Sequence, residues 1–274
     1  MTVLVTGARG HIARSLITRL TSTGTPFRAA SSQPGPGELR LDLRTGEGIE
    51  QALDGVDQVL LYTQPDGIDA FLAAAGGVKH IVQVSSSAVD QPDAATNSIA
   101  LRHKAVEDKL LASGLPVTVL RPGAFATNAL LWWADTIRRG STVEDASLEA
   151  QMAPIHQDDI AAVAETLLAT GGHVGEVLGL TGPESLTLRQ QVAIIGDALG
   201  REIPVAEISR QQALDRRPDY IPAEVMESLL DGFARSVGRP ALVTDTVREV
   251  TGVPARTFRQ WVADHRAEFA APRG

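Results

Sequence analysis

Cysteine is absent from this chain of 274 residues. Without a thiol, the protein can form no disulfide, no cysteine nucleophile and no thiolate metal site. The six histidines show no ligand spacing with nearby carboxylates, so the sequence predicts no bound metal. The fold must then rest on a hydrophobic core, and a hydrophobic content of 43% is enough to build one.

Long apolar runs and blocks of one charge are also missing. No uninterrupted apolar stretch approaches the roughly 18 residues of a membrane span, and the N-terminus shows no charged leader with an apolar signal segment. The net charge of −8 is spread along the chain, without a basic run that would suit nucleic acid or an anionic membrane. We therefore expect a cytoplasmic protein whose partner is a small molecule, with no nucleic acid and no membrane. A monomer and a homodimer both remain open.

A glycine turn follows the first apolar segment of the chain. It reads Thr6-Gly7-Ala8-Arg9-Gly10-His11-Ile12-Ala13. Gly7 would permit a tight turn, Gly10 a close approach of the backbone to a ligand, and the small Ala13 close packing of the next helix on the strand. The N–H groups and the positive dipole end of that helix would then face a diphosphate. The turn predicts a dinucleotide site to which Thr6, His11 and Ile12 also contribute.

Acidic residues are missing from the whole first part of the chain, since the first one is Glu38. A carboxylate that binds the ribose 2′-hydroxyl of NAD should lie about 20 residues past the glycines. Arg9 precedes the second glycine and could hold a 2′-phosphate through two N–H groups. Ser31 and Ser32, two neutral donors after the second predicted strand, would suit the same phosphate. The sequence therefore predicts that NADP(H) is preferred over NAD(H).

Short apolar segments alternate with helix-spaced segments over about the first 125 residues, which predicts a doubly wound α/β fold with a parallel sheet. The predicted strands are 2–6, 27–30, 38–41, 58–62, 80–84, 116–121 and 177–181. The predicted helices are 12–20, 48–53, 68–75, 98–111, 159–168, 188–199, 209–214, 223–233 and 257–265. We expect a Rossmann core at residues 1–181, with an insertion at about 123–156 lining a cleft, and a smaller, mostly helical substrate lobe at 182–274.

Several phrases in a fixed order carry a family resemblance. They are the Thr-Gly-x-x-Gly opening, Leu41-Asp42-Leu43, Val84-Ser85-Ser86-Ser87, His103-Lys104-Ala105-Val106-Glu107, Leu120-Arg121-Pro122-Gly123-Ala124-Phe125 with Asn128, Gln157-Asp158-Asp159-Ile160-Ala161, and Leu180-Thr181-Gly182-Pro183-Glu184. The chain resembles the NmrA-like branch of the atypical short-chain dehydrogenase/reductases over nearly its whole length. The resemblance implies a Rossmann fold and places Asp42 and Leu43 near the adenine of the cofactor.

The family pattern also implies a tyrosine four residues before a lysine, and this chain departs from it. Ile99 stands at the tyrosine position and His103 at the lysine position, as counted from Glu107. His103 could instead hydrogen-bond the ribose or donate a proton, since its reference pKa is near neutral. Ser86, within the serine run, is the second candidate catalytic residue. Catalysis would proceed without the usual proton relay, or the protein would bind cofactor without catalysis.

The remaining candidate residues lie at predicted strand ends and in the segment after the sixth strand. Candidates for cofactor contact are Tyr62, Thr63, Gln64, Ser85, His103, Pro122 and Phe125. Candidates for substrate contact are Phe125, Asn128, Trp132, Trp133, His156 and Tyr220. Adjacent residues on a helix point apart, so one of the two tryptophans at most can face a pocket. Asp158 and Asp159 begin a predicted helix, where acids cap N–H groups.

The leading hypothesis is an NADPH-dependent oxidoreductase that reduces a small quinone, enone, imine or carbonyl compound by hydride transfer. The competing hypothesis is a redox sensor that binds the dinucleotide and passes its redox state to a partner protein. Loss of both the tyrosine and the lysine motivates this alternative.

Overall fold

The computed structural model describes residues 1–219 and 221–270. Tyr220, which the sequence suggests as a substrate contact, lies outside the described residues. The chain forms two compact units, and each is described separately. Unit 1 comprises Met1–Pro122, Gln157–Leu180 and Thr246–Val253. Unit 2 comprises the described residues of Gly123–His156, Thr181–Asp245 and Pro254–Gly274.

Strands and helices alternate along the described chain. The strands are β1 Val3–Thr6, β2 Phe27–Ser31, β3 Leu39–Arg40, β4 Gln58–Tyr62, β5 His80–Val84, β6 Val117–Pro122, β7 Val143–Asp145, β8 Gln151–Met152, β9 Val177–Leu180, β10 Leu186–Thr187 and β11 Val205–Glu207. The helices are α1 His11–Ser22, α2 Ile49–Leu53, α3 Ile68–Ala74, α4 Ser98–Ala112, α5 Asn128–Arg138, α6 Gln157–Thr170, α7 Leu188–Leu199, α8 Arg210–Asp215, α9 Ala223–Ser236, α10 Thr246–Thr251, α11 Phe258–Asp264 and α12 Arg266–Phe269. A short 3₁₀ helix spans Ser87–Asp90.

Unit 1 contains a seven-stranded parallel sheet in the order β3-β2-β1-β4-β5-β6-β9. Strand β1 pairs with β2 on one side and with β4 on the other, so the strand order reverses between β1 and β4. In doubly wound sheets, ligands bind at the carboxyl ends of the strands beside this reversal. The sequence-based prediction of a doubly wound Rossmann fold is confirmed.

Burial explains why these segments form a central sheet. Every residue of β1 and of β5 is buried, as expected for parallel strands covered on both faces. On one face, Leu4, Val59 and Ile81 pack with Phe71 of α3 in a continuous hydrophobic core. Helices α1 and α6 pack against each other, and the Ser15 hydroxyl donates a 2.6 Å hydrogen bond to the carboxylate of Asp158 at the start of α6.

Unit 2 is built from shorter elements around a second hydrophobic core. Strands β8 and β10 pair antiparallel, and β7 and β11 pair parallel. Large side chains fill this core, among them Trp133, Ile137, Phe258, Trp261 and Phe269. The predicted division of the chain between residues 181 and 182 stays a prediction. No helix within residues 1–219 and 221–270 has both the length and the apolar character needed to cross a membrane.

Candidate cofactor site

The glycine turn lies between β1 and α1. Gly7 has a φ of +62°, a conformation that side chains disfavour, and the Gly10 N–H donates to the Gly7 carbonyl at 2.9 Å. The Ala8 N–H donates to the carbonyl of Ala30 in β2 at 3.0 Å, which ties the turn to the neighbouring strand. Gly10 is the N-cap of α1 and makes no side-chain cap, because glycine has no side chain. This backbone can hold a diphosphate.

Two buried threonines join the ends of neighbouring strands beside this turn. The Thr6 hydroxyl donates to the Leu60 carbonyl at 3.0 Å and accepts from the Tyr62 N–H at 2.8 Å. The Thr63 hydroxyl donates to the Val84 carbonyl at 2.7 Å. Both hydroxyl groups join neighbouring strand ends, so they order the backbone around the site.

Tyr62 and Gln64 flank Thr63 at the end of β4. Tyr62 is 61% exposed, and a Cβ added to Gly7 would lie 3.4 Å from the Tyr62 Cβ. A larger residue at position 7 would therefore crowd Tyr62 as well as strain the backbone. The Oε1 atom of Gln64 is buried and has no hydrogen-bond partner among the described residues. A buried polar atom without a partner costs free energy, so it marks a place where a polar ligand group would fit.

Arg9 reaches across to the loop that follows β2. Its Nη1 donates to the Gln33 carbonyl at 3.1 Å. The Ser31 hydroxyl accepts from the Gln33 N–H at 3.1 Å, and Ser32 is exposed beside it. The carboxylate of Glu38 accepts from the Gly35 N–H within its own loop at 2.8 Å. The side chains of Arg9 and Ser31 thus both bond to Gln33, in the loop that follows β2.

The segment of Asp42 and Leu43 lies close to the backbone of Gly67, in the loop that follows β4. A Cβ on Gly67 would lie 1.6 Å from the Leu43 carbonyl oxygen, so only glycine fits there. The Asp42 carboxylate accepts from the Arg44 N–H at 2.9 Å, and the Arg44 guanidinium lies 3.9 Å away. The segment is therefore ordered by local contacts in unit 1.

A buried ion pair lies under the carboxyl ends of β5 and β6, and sequence reasoning missed it. Glu107 of α4 is 1% exposed. Its Oε1 accepts from Arg121 Nε at 3.0 Å and its Oε2 accepts from Arg121 Nη2. The Ser85 hydroxyl donates to Glu107 Oε1, and Arg121 Nη1 also donates to Asp90. Glu107, followed by Asp90, raises the pKa of the Arg121 guanidinium, which stays charged.

Because of this ion pair, Ser85 and Ser86 can play different roles. The Ser85 hydroxyl is buried and its proton is used by Glu107. The Ser86 hydroxyl accepts a 3.2 Å bond from the Ala88 N–H at the start of the 3₁₀ helix. Because that bond uses a lone pair, the Ser86 hydroxyl proton remains able to serve a ligand.

His103 lies half-buried on α4. Its Nδ1 donates to the Ile99 carbonyl at 2.8 Å, because a carbonyl can only accept. Burial lowers the pKa of His103, and the bond to Ile99 opposes this only in part. The neutral ring then carries its proton on Nδ1, and Nε2 offers a lone pair. His103 is thus suited to accept a hydrogen bond from a hydroxyl, as on a ribose, rather than to donate a proton.

The other candidates belong to strand β6 or to unit 2. Pro122 ends β6 and is buried, and Phe125 forms an isolated bridge with Ile155. Asn128 begins α5. None of these residues has a contact that reveals a ligand, and their roles in binding stay predictions.

The two tryptophans of α5 take different positions. Trp133 is 3% exposed and packs in the core of unit 2, while Trp132 is half-buried. The Trp132 ring meets the rings of Trp133 and Phe233 edge to face, at centroid distances of 5.7 and 5.6 Å. Of the two, Trp132 is therefore the one with surface left for a ligand.

His156 lies against α11. Its side chain is 1% exposed and its Nε2 is 3.4 Å from the Asp264 carboxylate. Its ring centroid is 6.2 Å from that of His265. This environment favours packing over substrate contact. Among the described residues, no three histidine or acidic side chains are arranged to hold a metal ion.

Several known proteins similar to this chain are reductases or oxidoreductases by name. A family model described as NAD(P)H-binding matches residues 7–170, more than half of the chain. A (4-alkanoyl-5-oxo-2,5-dihydrofuran-3-yl)methyl phosphate reductase of Streptomyces griseus is 37% identical over 98% of this chain and 99% of its own. An NAD(P)H azoreductase of Xenophilus azovorans is 31% identical, with coverages of 98% and 99%.

Solved structures give the same fold. The NADPH complex of an NADPH-dependent quinone oxidoreductase from Escherichia coli superimposes with a TM-score of 0.78 and 23% identity. The superposition covers 96% of this chain and 99% of the other. At this identity the likeness is evidence for the fold alone.

Proposed function

The chain belongs to the NAD(P)H-binding family, within the NmrA-like group of atypical short-chain dehydrogenase/reductases, and we propose that it is an NADPH-dependent reductase of small conjugated substrates. Its relatives, a reductase and an NAD(P)H azoreductase, support an NAD(P)H-dependent oxidoreductase. The preference for NADPH and the substrate class are the proposal. The observation that carries it is the combination of the glycine turn with Arg9 at the loop after β2.

Arg9 favours a cofactor with a 2′-phosphate. Its guanidinium donates to the Gln33 carbonyl, and the Gln33 N–H donates to the Ser31 hydroxyl, so Arg9 and Ser31 bond to the same residue. Before Glu38 the chain has no carboxylate to accept the ribose hydroxyls of NAD, and Glu38 itself is bonded to its own loop. An arginine can donate two parallel hydrogen bonds to a phosphate. The same loop offers an unphosphorylated ribose no comparable acceptor.

The missing tyrosine and lysine favour conjugated substrates. When bound, the reduced nicotinamide supplies the hydride. Reduction of an isolated carbonyl leaves a strongly basic alkoxide, which needs a nearby acid. In a quinone or an enone the charge spreads to a distant oxygen, where a hydrogen-bond donor and solvent are enough. Two relatives, a dihydrofuranone phosphate reductase and a quinone oxidoreductase, have names that fit such substrates.

Two side chains of unit 1 would serve this reaction. Ser86 keeps a hydroxyl proton that it can donate to a substrate oxygen. His103, neutral and with a free lone pair on Nε2, would accept a hydrogen bond from the ribose and so orient the nicotinamide. The Glu107 and Arg121 pair would hold Ser85, and through it the serine run, in place.

Cofactor titrations test the NADPH preference. Arg9→Ala should weaken NADPH binding about tenfold to a hundredfold, the value of a charge-assisted pair of hydrogen bonds, and should change NADH binding less than about twofold. Arg28→Ala is the matched control, since Arg28 also donates to a backbone carbonyl, that of Gln51, but lies at the start of β2. Equal losses for NADPH and NADH in Arg9→Ala would refute the phosphate assignment.

Turnover tests the substrate class. NADPH oxidation is followed with a quinone, an azo dye, a conjugated lactone and a simple ketone. We expect oxidation with the conjugated compounds and little with the ketone. Reduction of the ketone at an equal rate would refute the argument from the missing tyrosine. Tight NADPH binding without oxidation by any of them would favour the redox-sensor alternative.

A further inference from the structure

A cavity in unit 2 is lined by arginines. Its volume is about 440 Å³, and its lining includes Arg138, Arg139, Arg201 and Arg266 together with Leu199 and Phe269. Within the part of the chain that the structure describes, no acidic residue lines it. All these residues belong to unit 2, whereas the glycine turn and Arg9 belong to unit 1. The cavity therefore shares no residue with the candidate cofactor site.

Two of the arginines are fixed by helix ends. Arg201 donates to the carbonyl of Ile137 near the end of α5, and Arg266 Nε donates to the carbonyl of Ala198 near the end of α7 at 2.7 Å. These bonds hold the guanidinium groups in place. Each leaves most of the five N–H donors of its arginine unused.

The other two arginines follow each other at the end of α5. Arg138 pairs with the exposed Asp135 at 2.8 Å, and its Nε donates to the Ala134 carbonyl at 3.3 Å. The Arg139 guanidinium makes no hydrogen bond or ion pair with the described residues, and Arg139 is exposed. Acids on the neighbouring helices are paired elsewhere, Asp197 with Arg259 and Glu268 with His265.

The positive charge of the four arginines exceeds the negative charge of the helix ends and of Asp135. Two helix carboxyl ends contribute about −0.5 each, and Asp135 contributes one negative charge. Against these stand four guanidinium groups, which leaves an excess of about two positive charges. A dianion would neutralise it.

We propose that this cavity binds a phosphate monoester, or a dianion of similar shape, that carries a small apolar group. The guanidinium groups would hold the phosphate oxygens in pairs of hydrogen bonds. Leu199 and Ala270, both half-buried, supply apolar surface for the organic group. The cavity is a second ligand site, independent of the reductase reaction.

Calorimetric titration with phenyl phosphate at about pH 8, where the phosphate is a dianion, tests this proposal. The protein is first saturated with NADPH, so that the glycine turn cannot take the probe. We expect one binding event per chain. Arg138→Gln combined with Arg139→Gln should weaken it at least about tenfold, since each removes charge-assisted hydrogen bonds.

Arg239→Gln is the matched control, because Arg239 is also an exposed arginine of unit 2 but does not line the cavity. It should bind phenyl phosphate as the unaltered protein does. Arg139→Gln alone leaves every hydrogen bond and ion pair between the described residues in place, and it should weaken binding by a smaller factor. Unchanged affinity in the double variant, an equal loss in Arg239→Gln, or no binding in the presence of NADPH would overturn the proposal.

Discussion

The buried carboxylate of Glu107 gives the strongest test of the physical reasoning about unit 1. Glu107→Ala removes an acceptor of three hydrogen bonds from a site that is 1% exposed. Removing one partner of a buried ion pair leaves the other charge uncompensated and costs about 3–5 kcal/mol. Arg121 keeps Asp90 as a partner, so we expect the lower end, about 3 kcal/mol.

Asp90→Ala is the matched control on the same arginine. The Asp90 side chain is 52% exposed, against 1% for Glu107. An exposed ion pair contributes about 0–1 kcal/mol, so Asp90→Ala should cost less than about 1 kcal/mol. The two variants remove carboxylates of different burial, and each leaves the same Arg121 guanidinium without one of its partners.

Urea unfolding followed by circular dichroism measures both variants. With a slope of about 3 kcal/mol per molar urea, the midpoint of Glu107→Ala should fall by about 1 M. A second variant, Glu107→Leu with Arg121→Met, replaces the pair by apolar groups and should recover much of the loss. If Glu107→Ala costs no more than Asp90→Ala, the argument from burial is refuted.

Three further perturbations test other parts of the chain. Gly67→Ala should cost about 3 kcal/mol in urea unfolding, because its Cβ would lie 1.6 Å from the Leu43 oxygen; a cost near zero would contradict this. Burial lowers the pKa of His103 below its usual 6.5, so its stabilising contribution is complete above pH 6.5 and is lost as the pH falls towards the folded-state pKa. As the pH falls from about 7 to about 5, His103→Gln should therefore lose less stability than the unaltered protein. Urea midpoints measure the loss, and an identical loss in both proteins would refute this prediction. Trp133→Ala should cost about 3–5 kcal/mol and Trp132→Ala about 1–2 kcal/mol, since only Trp133 is fully buried; the reverse order would refute the assignment of their positions.

Local sequence patterns predict much of the secondary structure of unit 1. Strands β4 and β5 occupy residues 58–62 and 80–84, as predicted. Short apolar runs are typical of parallel strands, because both faces of such strands are buried. Helix α7 of unit 2 also matches its prediction of 188–199. Thr187 and Gln190 form a capping box at its start, and Gly200 ends it with a φ of +73°.

The ion pair of Glu107 with Arg121 could not be predicted in the same way. The two residues lie on a helix and on a strand, and their pairing depends on how α4 packs against β6. Hydrophobic periodicity indicates which face of a helix is buried, but it does not give the register of that face against the sheet. A glutamate in the middle of α4 is equally compatible with a solvated position.

Helix α5 shows why the candidate substrate residues are the least predictable. Its N-cap, Thr127, has αR geometry and makes no side-chain cap, so the usual signal of a helix start is missing. The helix is held instead by the burial of Trp133 and Ile137 in the core of unit 2. The cofactor turn, by contrast, depends on backbone conformations that glycines encode locally. Cofactor binding can therefore be inferred from a short segment, whereas the choice of substrate depends on side-chain packing that local patterns do not encode.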